Sequence, residues 1–382
     1  MSIYLDNAAT TRPFPGLEAL FKEHMETDWY NPSAMYPPAV AEEGKIKKAK
    51  ETVASLIGAD PACTVFNACG TEGANTVIFR GYRPEGGKKR HFITSAYEHP
   101  CVYECFRKLE EEGHSVDYIL PAADGSIHPE QVAEKVGENT ALVSIMHVNN
   151  ETGAINDVAA IAAAVKAKNP AALVHADGVQ AYGKIPLDFG RSALDYYTAS
   201  AHKLHGLKGT GVLFYKKGSP LKAYLMGGGQ EKGLRSGTEN TFGILAFAAA
   251  AAEYKKDREA KMAHMRALKE RLLAGLSAVQ DVRIFSPKDG APHILNLAFT
   301  GMRGEVLLHL LEQQGIYIST GSACSSKKGK TSRVHKALGV QSQVAECVVR
   351  ISFCPENTLE EMDTVAQAIT AALKRFRGFI RR

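Results

Sequence analysis

The sequence predicts an α/β fold with two parts: a mainly parallel sheet of the seven-stranded type covered by helices, and a smaller α+β domain. Between about residues 38 and 260, short apolar strand patterns alternate with helical patterns. Such alternation is typical of parallel strands connected by crossover helices of roughly ten to fifteen residues. After about residue 281 the alternation ends and strands and helices follow in another order. We therefore expect a large domain at residues 15–259 and a small domain formed by residues 1–14 and 260–382.

The length of the chain supports this division, because its 382 residues exceed the ~250–300 residues at which a single core stops growing. In the large domain, short apolar runs predict the strands CTVFNA, HFITSA, SVDYIL, TALVSIMHV, ALVHAD, LDYYTAS and GVLFYK. Helical periodicity predicts the helices PAVAEEGKIKKAKETVASLIG, GTEGANTVIFRGY, CVYECFRKLEEEG and DVAAIAAAVKAK, followed by one long helix over about residues 242–278.

In the small domain the same criteria predict four strands and three helices. The strands are DVRIFS, HILNLAF, YIST and VVRISF. The helices are RGEVLLHLLEQQG, SRVHKALG and LEEMDTVAQAITAALKRF. This mixture is the pattern of an α+β domain.

Composition excludes several classes of protein. The net charge of +5, from 46 basic and 41 acidic residues, is too small to indicate nucleic-acid binding, which normally needs a concentrated basic face. No segment approaches the roughly 18 consecutive apolar residues of a membrane span, and MSIYLDNAATT lacks the features of a signal peptide. The seven cysteines are odd in number, so we expect reduced thiols and a cytoplasmic protein. Their spacing has no zinc signature, and we expect no metal site.

Two segments place reactive side chains at predicted strand ends. TASAHKLHGLKGTG puts Lys203 directly before a glycine-rich turn, where a lysine of lowered pKa can form a Schiff base with a carbonyl. This segment alone favours a solvated loop lysine. LVHADGVQAYGK puts Asp177 and Gln180 at the edge where open α/β sheets bind ligands. A carboxylate there suits the pyridinium nitrogen of pyridoxal phosphate (PLP), although an isolated aspartate after a strand is more often a helix N-cap.

Three further segments carry candidate binding residues. CGTEGAN puts Gly70 and Thr71 where a strand gives way to a helix, so that backbone N–H groups and a hydroxyl can hold a phosphate. A plain helix cap explains these residues equally well. His99 in YEHP can stack on a planar ring and exchange protons, and Asn150 in HVNNETG is polar and follows a strand. Taken singly, the alternatives are a structural histidine and a turn asparagine.

Taken together, these motifs resemble the NifS/IscS-like cysteine desulfurases, which belong to the class V aminotransferase branch of fold-type I PLP enzymes. The matching segments are YLDNAATT, GTE, EH, VNNETG, HADGVQ, SAHK, GGGQEKGLRSGTEN and STGSAC. Their order and spacing make the resemblance specific, and it runs from residue 4 to about residue 370. It implies a homodimeric, PLP-dependent enzyme that takes sulfur from L-cysteine and releases L-alanine.

The resemblance also implies a role for each matching residue. Lys203 would carry PLP as a Schiff base and remove the Cα proton of the substrate, while His99 would stack on the ring. Asp177 and Gln180 would contact the ring nitrogen and the ring oxygen. The other implied cofactor residues are Gly70, Thr71, Asn150, Ser200, His202 and, from the second subunit, Thr238. The implied substrate-binding residues are Asn31, Asn150 and Arg350.

The segment STGSACSSKKGK puts Cys324 among small and basic residues. By the resemblance, Cys324 would attack the substrate sulfur and hold it as a persulfide. A sulfur-acceptor protein of iron–sulfur cluster assembly, or of tRNA or cofactor thiolation, would then receive it. The alternative is a selenocysteine lyase or a class V aminotransferase, although an aminotransferase needs no thiol nucleophile.

Overall fold

The computed structural model describes residues 2–82, 88–320 and 332–380, with side chains up to residue 376. Cys324 lies outside the described residues. From the N-terminus to the end of the large sheet, the elements are β1 (Ile3–Tyr4), α1 (Leu17–Thr27), α2 (Pro37–Ala54), β2 (Thr64–Asn67), α3 (Gly70–Arg80), β3 (His91–Ser95), α4 (Pro100–Glu111), β4 (Ser115–Ile119), α5 (Pro129–Lys135), β5 (Thr140–Ser144), α6 (Val158–Lys168), β6 (Leu173–Asp177), β7 (Tyr196–Ser200) and β8 (Gly211–Tyr215).

The C-terminal part mixes helices with short strands. Its elements are α7 (Thr241–Lys256), α8 (Arg258–Gly275), β9 (Val282–Ile284), β10 (Ile294–Phe299), α9 (Gly304–Glu312), β11 (Ile316–Tyr317), α10 (Arg333–Ala337), α11 (Ser342–Ala345), β12 (Val348–Ser352) and α12 (Leu359–Ile380). Within the described ranges, no helix combines the length and apolar character needed to cross a bilayer.

The large sheet has seven strands in the order β2-β8-β7-β6-β5-β3-β4. The strands from β7 to β4 are parallel, whereas β8 runs antiparallel to both of its neighbours. Strands β5 and β7 are buried along their whole length, as expected for parallel strands covered on both faces. The predicted fold class is confirmed. Parallel pairing also brings the carboxyl ends of β3, β5, β6 and β7 to one edge of the sheet, and the residues that follow them meet there.

A second, smaller sheet lies in the C-terminal part. Its order is β12-β10-β9, with antiparallel pairing throughout, and β1 pairs in parallel with β11. Helices α8 and α12 pack against it through a separate apolar cluster in which Leu268, Leu297 and Ile369 are fully buried. The first residues of the chain thus pair with the C-terminal part: β1 and β11 form a separate two-stranded sheet, and an isolated bridge joins Asp6 to Ser352 at the end of β12. The division at residues 14/15 and 259/260 remains a prediction.

The prediction of one helix over residues 242–278 is wrong. Helix α7 ends at Lys256, and α8 begins at Arg258 after Asp257 adopts φ −133° and ψ 38°. Phe247 of α7 belongs to the core of the large sheet, whereas Leu268 of α8 belongs to the core of the small sheet. The chain changes direction at Asp257 because its two halves bury their apolar faces against different sheets.

Candidate active site

A cavity of about 280 Å³ opens at the carboxyl edge of the large sheet. Its lining brings together ten of the residues predicted from the sequence: Gly70, Thr71, His99, Asn150, Asp177, Gln180, Ser200, His202, Lys203 and Arg350. Such a position is the usual ligand site of open α/β sheets.

Lys203 lies at the end of a single turn of 3₁₀ helix, Ala201–Lys203, directly after β7. Its Nζ donates hydrogen bonds to the backbone carbonyls of Ala8, at 2.6 Å, and Ala9. The N-terminal segment is held there by Thr11, whose N–H and hydroxyl both donate to the carbonyl of His202 at 2.9 Å. The lysine amine therefore lies against the segment that follows β1, and not in bulk solvent.

Asp177 ends strand β6 and is 5% exposed. Its Oδ1 accepts the N–H of Val179 at 2.9 Å. Burial raises the pKa of the carboxyl to about 6, against the opposing effects of that hydrogen bond and of the Lys203 charge. A buried carboxylate is stabilised when a cation shares its site, and a protonated ring nitrogen is such a cation.

Gln180 lies three residues further on and is also buried. Its Nε2 donates to the carbonyl of Ala8 at 2.8 Å, but its Oε1 is buried without a hydrogen-bond partner among the described residues. Gln180 is also part of the cavity lining, so its side-chain amide can contact a group bound there.

Helix α3 begins at the opposite side of the cavity, with Gly70 and Thr71 as its first residues. The first N–H groups of a helix have no partner within it and carry the positive end of the helix dipole, so they bind anions. A Cβ on Gly70 would lie 2.6 Å from Cγ2 of Val179, so this close approach requires glycine. Ser200 and His202 also line the cavity.

His99 is the N-cap of α4, and its Nδ1 accepts the N–H of Cys101 at 3.2 Å. Because Nδ1 must offer a lone pair to that N–H, the proton of the neutral ring lies on Nε2. Burial, followed by the charges of Lys203 and Arg333, lowers the pKa of His99 to about 4. At neutral pH this ring is therefore an uncharged donor in the cavity lining.

Arg350 lies in the middle of β12 and is 2% exposed. Its Nη2 donates to Oδ1 of Asp6 at 2.8 Å, and its Nη1 donates to the carbonyl of Asn150 at 2.8 Å. Its Nε has no hydrogen-bond partner among the described residues. A guanidinium in a cavity lining suits a carboxylate ligand, because its planar fork can bind both oxygens.

The cavity joins a lysine amine, a buried carboxylate, a helix N-terminus and an arginine at one sheet edge. A comparison with family models agrees with this arrangement: residues 3–365 match the family described as Aminotransferase class-V. The chain belongs to the class V aminotransferase family. As a member of this family it is a PLP-dependent enzyme.

Individual class V relatives are similar over nearly the whole chain. The protein is 38% identical over 377 residues to a NifS/IcsS protein homolog of Lactobacillus delbrueckii subsp. bulgaricus, and 98% of each chain is covered. It is 36% identical over 379 residues to a cysteine desulfurase of Nostoc sp., with 98% of this chain and 94% of the relative covered. The solved structure of a NifS-like protein matches with a TM-score of 0.92 at 35% identity, covering 98% of this chain and 100% of that one. The predicted resemblance to the NifS/IscS-like group is confirmed.

The residues in this class V cavity fit PLP by three independent features. Lys203 supplies an amine, and Asp177 supplies a buried carboxylate for the ring nitrogen. The start of α3 supplies free N–H groups for a phosphate, beside a glycine that the packing requires.

Two of the predicted residues that the structure describes do not line this cavity. Asn31 is exposed, with its Oδ1 accepting the N–H of Ser33 at 2.9 Å. Thr238 is also exposed, and Cys324 lies outside the described residues.

Seven further residues line the cavity, although the sequence motifs predict no catalytic or binding role for them: Ala8, Ala9, Cys69, Cys101, Met146, Val148 and Val179. The motifs likewise predict no role for Asp6, the partner of Arg350. The matching YLDNAATT segment was the available signal for Asp6, Ala8 and Ala9.

Glu98, which precedes His99 in the chain, is 1% exposed and provides a pH-dependent prediction. Its Oε1 accepts hydrogen bonds from Oγ of Ser95 at 2.6 Å and from the N–H of Met146 at 2.8 Å. Burial raises its pKa from 4.5 to about 8, so the carboxyl is protonated at pH 7. In the unfolded chain the Glu98 carboxyl ionises as pH rises above 4.5, whereas in the folded protein it stays protonated until about pH 8. The free energy of unfolding therefore falls as pH rises between these two values.

We therefore expect Glu98→Gln, which resembles the protonated acid, to match the wild-type Tm near pH 4.5. The variant should then exceed it by at least ~3 °C at pH 8. The measurement is thermal unfolding of the holoenzyme across this range. Glu134→Gln, at an exposed glutamate, is the matched control and should show no such divergence. A constant Tm difference for Glu98→Gln at all pH values would contradict a protonated Glu98.

Proposed function

We propose that this protein is a cysteine desulfurase that takes sulfur from L-cysteine, releases L-alanine and holds the sulfur on Cys324 for transfer to an acceptor protein. The observation that carries the proposal is that Lys203, Asp177 and Arg350 line one cavity, in a chain whose full-length relatives include cysteine desulfurases.

Each part of the cavity has one task toward the cofactor. Lys203 would hold PLP, Asp177 would keep the ring nitrogen protonated, and Gln180 would contact the ring oxygen. The phosphate would be bound by Gly70, Thr71, Ser200 and His202, together with Thr238 of a second copy of the chain. PLP, when bound, withdraws electrons from the Cα of the substrate.

The substrate is oriented by its carboxylate. Arg350 binds it through the guanidinium, with Asn150 beside it and Asn31 at the edge of the substrate pocket. Asp6 holds the guanidinium in place through its hydrogen bond to Nη2. With its carboxylate held by Arg350, L-cysteine would direct its Cα–H bond toward the Lys203 amine, which would remove the proton. His99 would stack on the cofactor ring and would supply a proton from Nε2 during the later steps.

The sulfur then moves to Cys324. The Cys324 thiolate attacks the substrate sulfur, a new S–S bond forms and the Cβ–S bond breaks. The electron pair of that bond stays on the substrate carbon, which is protonated to the methyl group of alanine. The enzyme is left with a persulfide, which a sulfur-acceptor protein of iron–sulfur cluster assembly or of tRNA or cofactor thiolation removes. We place this homodimeric enzyme in the cytoplasm.

The first test is product formation from L-cysteine by the purified holoenzyme in the presence of a thiol reductant. We expect alanine and sulfide in equal amounts. Arg350→Lys keeps the charge but loses the planar fork, so kcat/KM should fall by about 100-fold, chiefly through a higher KM. PLP content should be unchanged.

Arg271→Lys is the matched control. It makes the same exchange in an exposed pair, Arg271 with Asp363, at 2.7 and 2.8 Å, and it should have wild-type kinetics. Release of pyruvate or of an amino-group transfer product without sulfide would contradict the desulfurase proposal. An unchanged KM in Arg350→Lys would remove Arg350 from the substrate site.

A further inference from the structure

Three potential metal ligands converge beside the active site, although they are far apart in the sequence. They are Nε2 of His205, Sγ of Cys354 and a carboxylate oxygen of Glu356, and these atoms all lie within 4.8 Å of one another. His205 follows Lys203 by two residues, whereas Cys354 follows strand β12, which carries Arg350. Histidine, cysteine and glutamate are the ligand types that zinc combines in proteins.

The tautomer of His205 is set for metal binding. Its Nδ1 lies 2.8 Å from the carbonyl of Arg12, and a carbonyl can only accept, so Nδ1 carries the proton. Nε2 is therefore a lone pair in the neutral ring. A backbone carbonyl that fixes the distal N–H is the usual support of a metal-ligating histidine. The ring is 5% exposed and stacks on Tyr254 with ring centroids 5.8 Å apart.

The lone pair of Nε2 has no hydrogen-bond donor among the described residues. It lies 3.7 Å from Oε2 of Glu356, so two electron-rich atoms approach each other. Burial lowers the pKa of His205, which disfavours a second proton on the ring. A bound cation between these atoms would satisfy both of them.

The backbone of His205 provides independent support. Its φ is 62°, a left-handed conformation that costs a non-glycine residue energy and that clusters at functional sites. The conformation holds the ring against the C-terminal part of the protein, where Cys354 and Glu356 lie.

We propose that His205, Cys354 and Glu356 form a site for a divalent transition metal, with Zn²⁺ as the ion that best suits one nitrogen, one sulfur and one oxygen ligand. Cys354 loses its thiol proton to solvent when the ion binds. Glu356 is 60% exposed, which gives the ion a route from solvent and leaves a position for water. The bound ion ties the segment after Lys203 to the strand of Arg350.

One neighbouring group modulates the site. The side chain of Lys184 is buried close by, and burial, followed by the charge of Lys203, lowers its pKa to about 7. Its positive charge is thus partly lost at neutral pH and opposes a metal ion only weakly.

The test is Zn²⁺ binding to PLP-loaded protein, with every variant made in a Cys324→Ala background so that the proposed sulfur-carrying thiol supplies no ligand. Equilibrium dialysis with elemental analysis should give one Zn²⁺ per chain. Cys354→Ser should weaken binding by more than about 100-fold. Cys347→Ser, at another buried cysteine, is the matched control and should bind as the parent does.

A second measurement keeps the test valid if Cys354→Ser folds poorly. Glu356→Gln changes an exposed side chain and should weaken binding by at least about tenfold, and Zn²⁺ should raise the Tm of the parent more than that of this variant. Co²⁺ should give a sulfur-to-cobalt charge-transfer band in the parent and in Cys347→Ser, but not in Cys354→Ser. Zinc binding that is absent in the parent, or unchanged in both ligand variants, would overturn the proposal, whatever the outcome for desulfurase activity.

Discussion

Replacement of Lys203 by alanine should reduce alanine formation from L-cysteine by at least about 10³-fold, the scale of a positioned general base. Lys203 is the amine in the lining of the cavity, held by the carbonyls of Ala8 and Ala9. Under the proposed mechanism, its loss removes both the attachment of PLP and the group that takes the Cα proton. The measurement is steady-state alanine production by PLP-supplemented protein, together with the absorbance of the bound cofactor.

Two variants make this experiment specific. Lys208→Ala changes an exposed lysine of the same loop and should keep wild-type activity. The buried Lys184 is the amine whose pKa responds to the charge of Lys203, so the double variant Lys203→Ala/Lys184→Met tests whether any residual turnover depends on it. Turnover within tenfold of wild type in Lys203→Ala would show that the catalytic base lies elsewhere.

Replacement of Cys324 by alanine should abolish the single-turnover burst of alanine when no reductant is present. Wild type should form about one alanine per active site and then stop, because the persulfide has no acceptor. The variant should form almost none, since the Cβ–S bond breaks only when a thiolate accepts the sulfur. The measurement is alanine per site, with the persulfide located by mass spectrometry.

The structure supplies the competing thiols for this experiment. Cys69 and Cys101 both line the cavity, and burial raises the pKa of Cys101 well above its ordinary value, which makes it a poor nucleophile. Cys69→Ala and Cys101→Ala should therefore retain a burst amplitude of about one alanine, even where the rate changes. If the burst survived in Cys324→Ala but disappeared in Cys69→Ala or Cys101→Ala, the persulfide would form on that cavity cysteine and not on Cys324.

Much of the fold follows from local patterns in the sequence. Strands such as β6 are predictable because an apolar run ends at a polar residue, Asp177, and parallel pairing then fixes where that residue lies. The helices α1 and α5 were not predicted. Helix α1 buries only Leu17 and α5 buries only Val132, so neither has the wide apolar face that periodicity detects.

The long-range contacts of the site have no local signal. Asp6 and Arg350 are 344 positions apart, and no spacing rule connects them. His205, Cys354 and Glu356 likewise come from two distant segments. The expectation of no metal site was based on cysteine spacing along the sequence, and spacing cannot detect a cluster that only folding brings together. Motif resemblance predicted Arg350 itself, but its partner Asp6 emerged only from the folded geometry.

The contact between Asp6 and Arg350 also sets an order of events during biosynthesis. Synthesis runs from the N-terminus at roughly 5–20 residues per second, and Lys203 precedes Arg350 by about 150 residues, which corresponds to roughly 7–30 seconds. Throughout that interval the Asp6 carboxylate has no Arg350 to pair with, because the guanidinium is the last of the charged groups in the cavity lining to be synthesised. The cavity is therefore complete only after the last strand of the small sheet has been made.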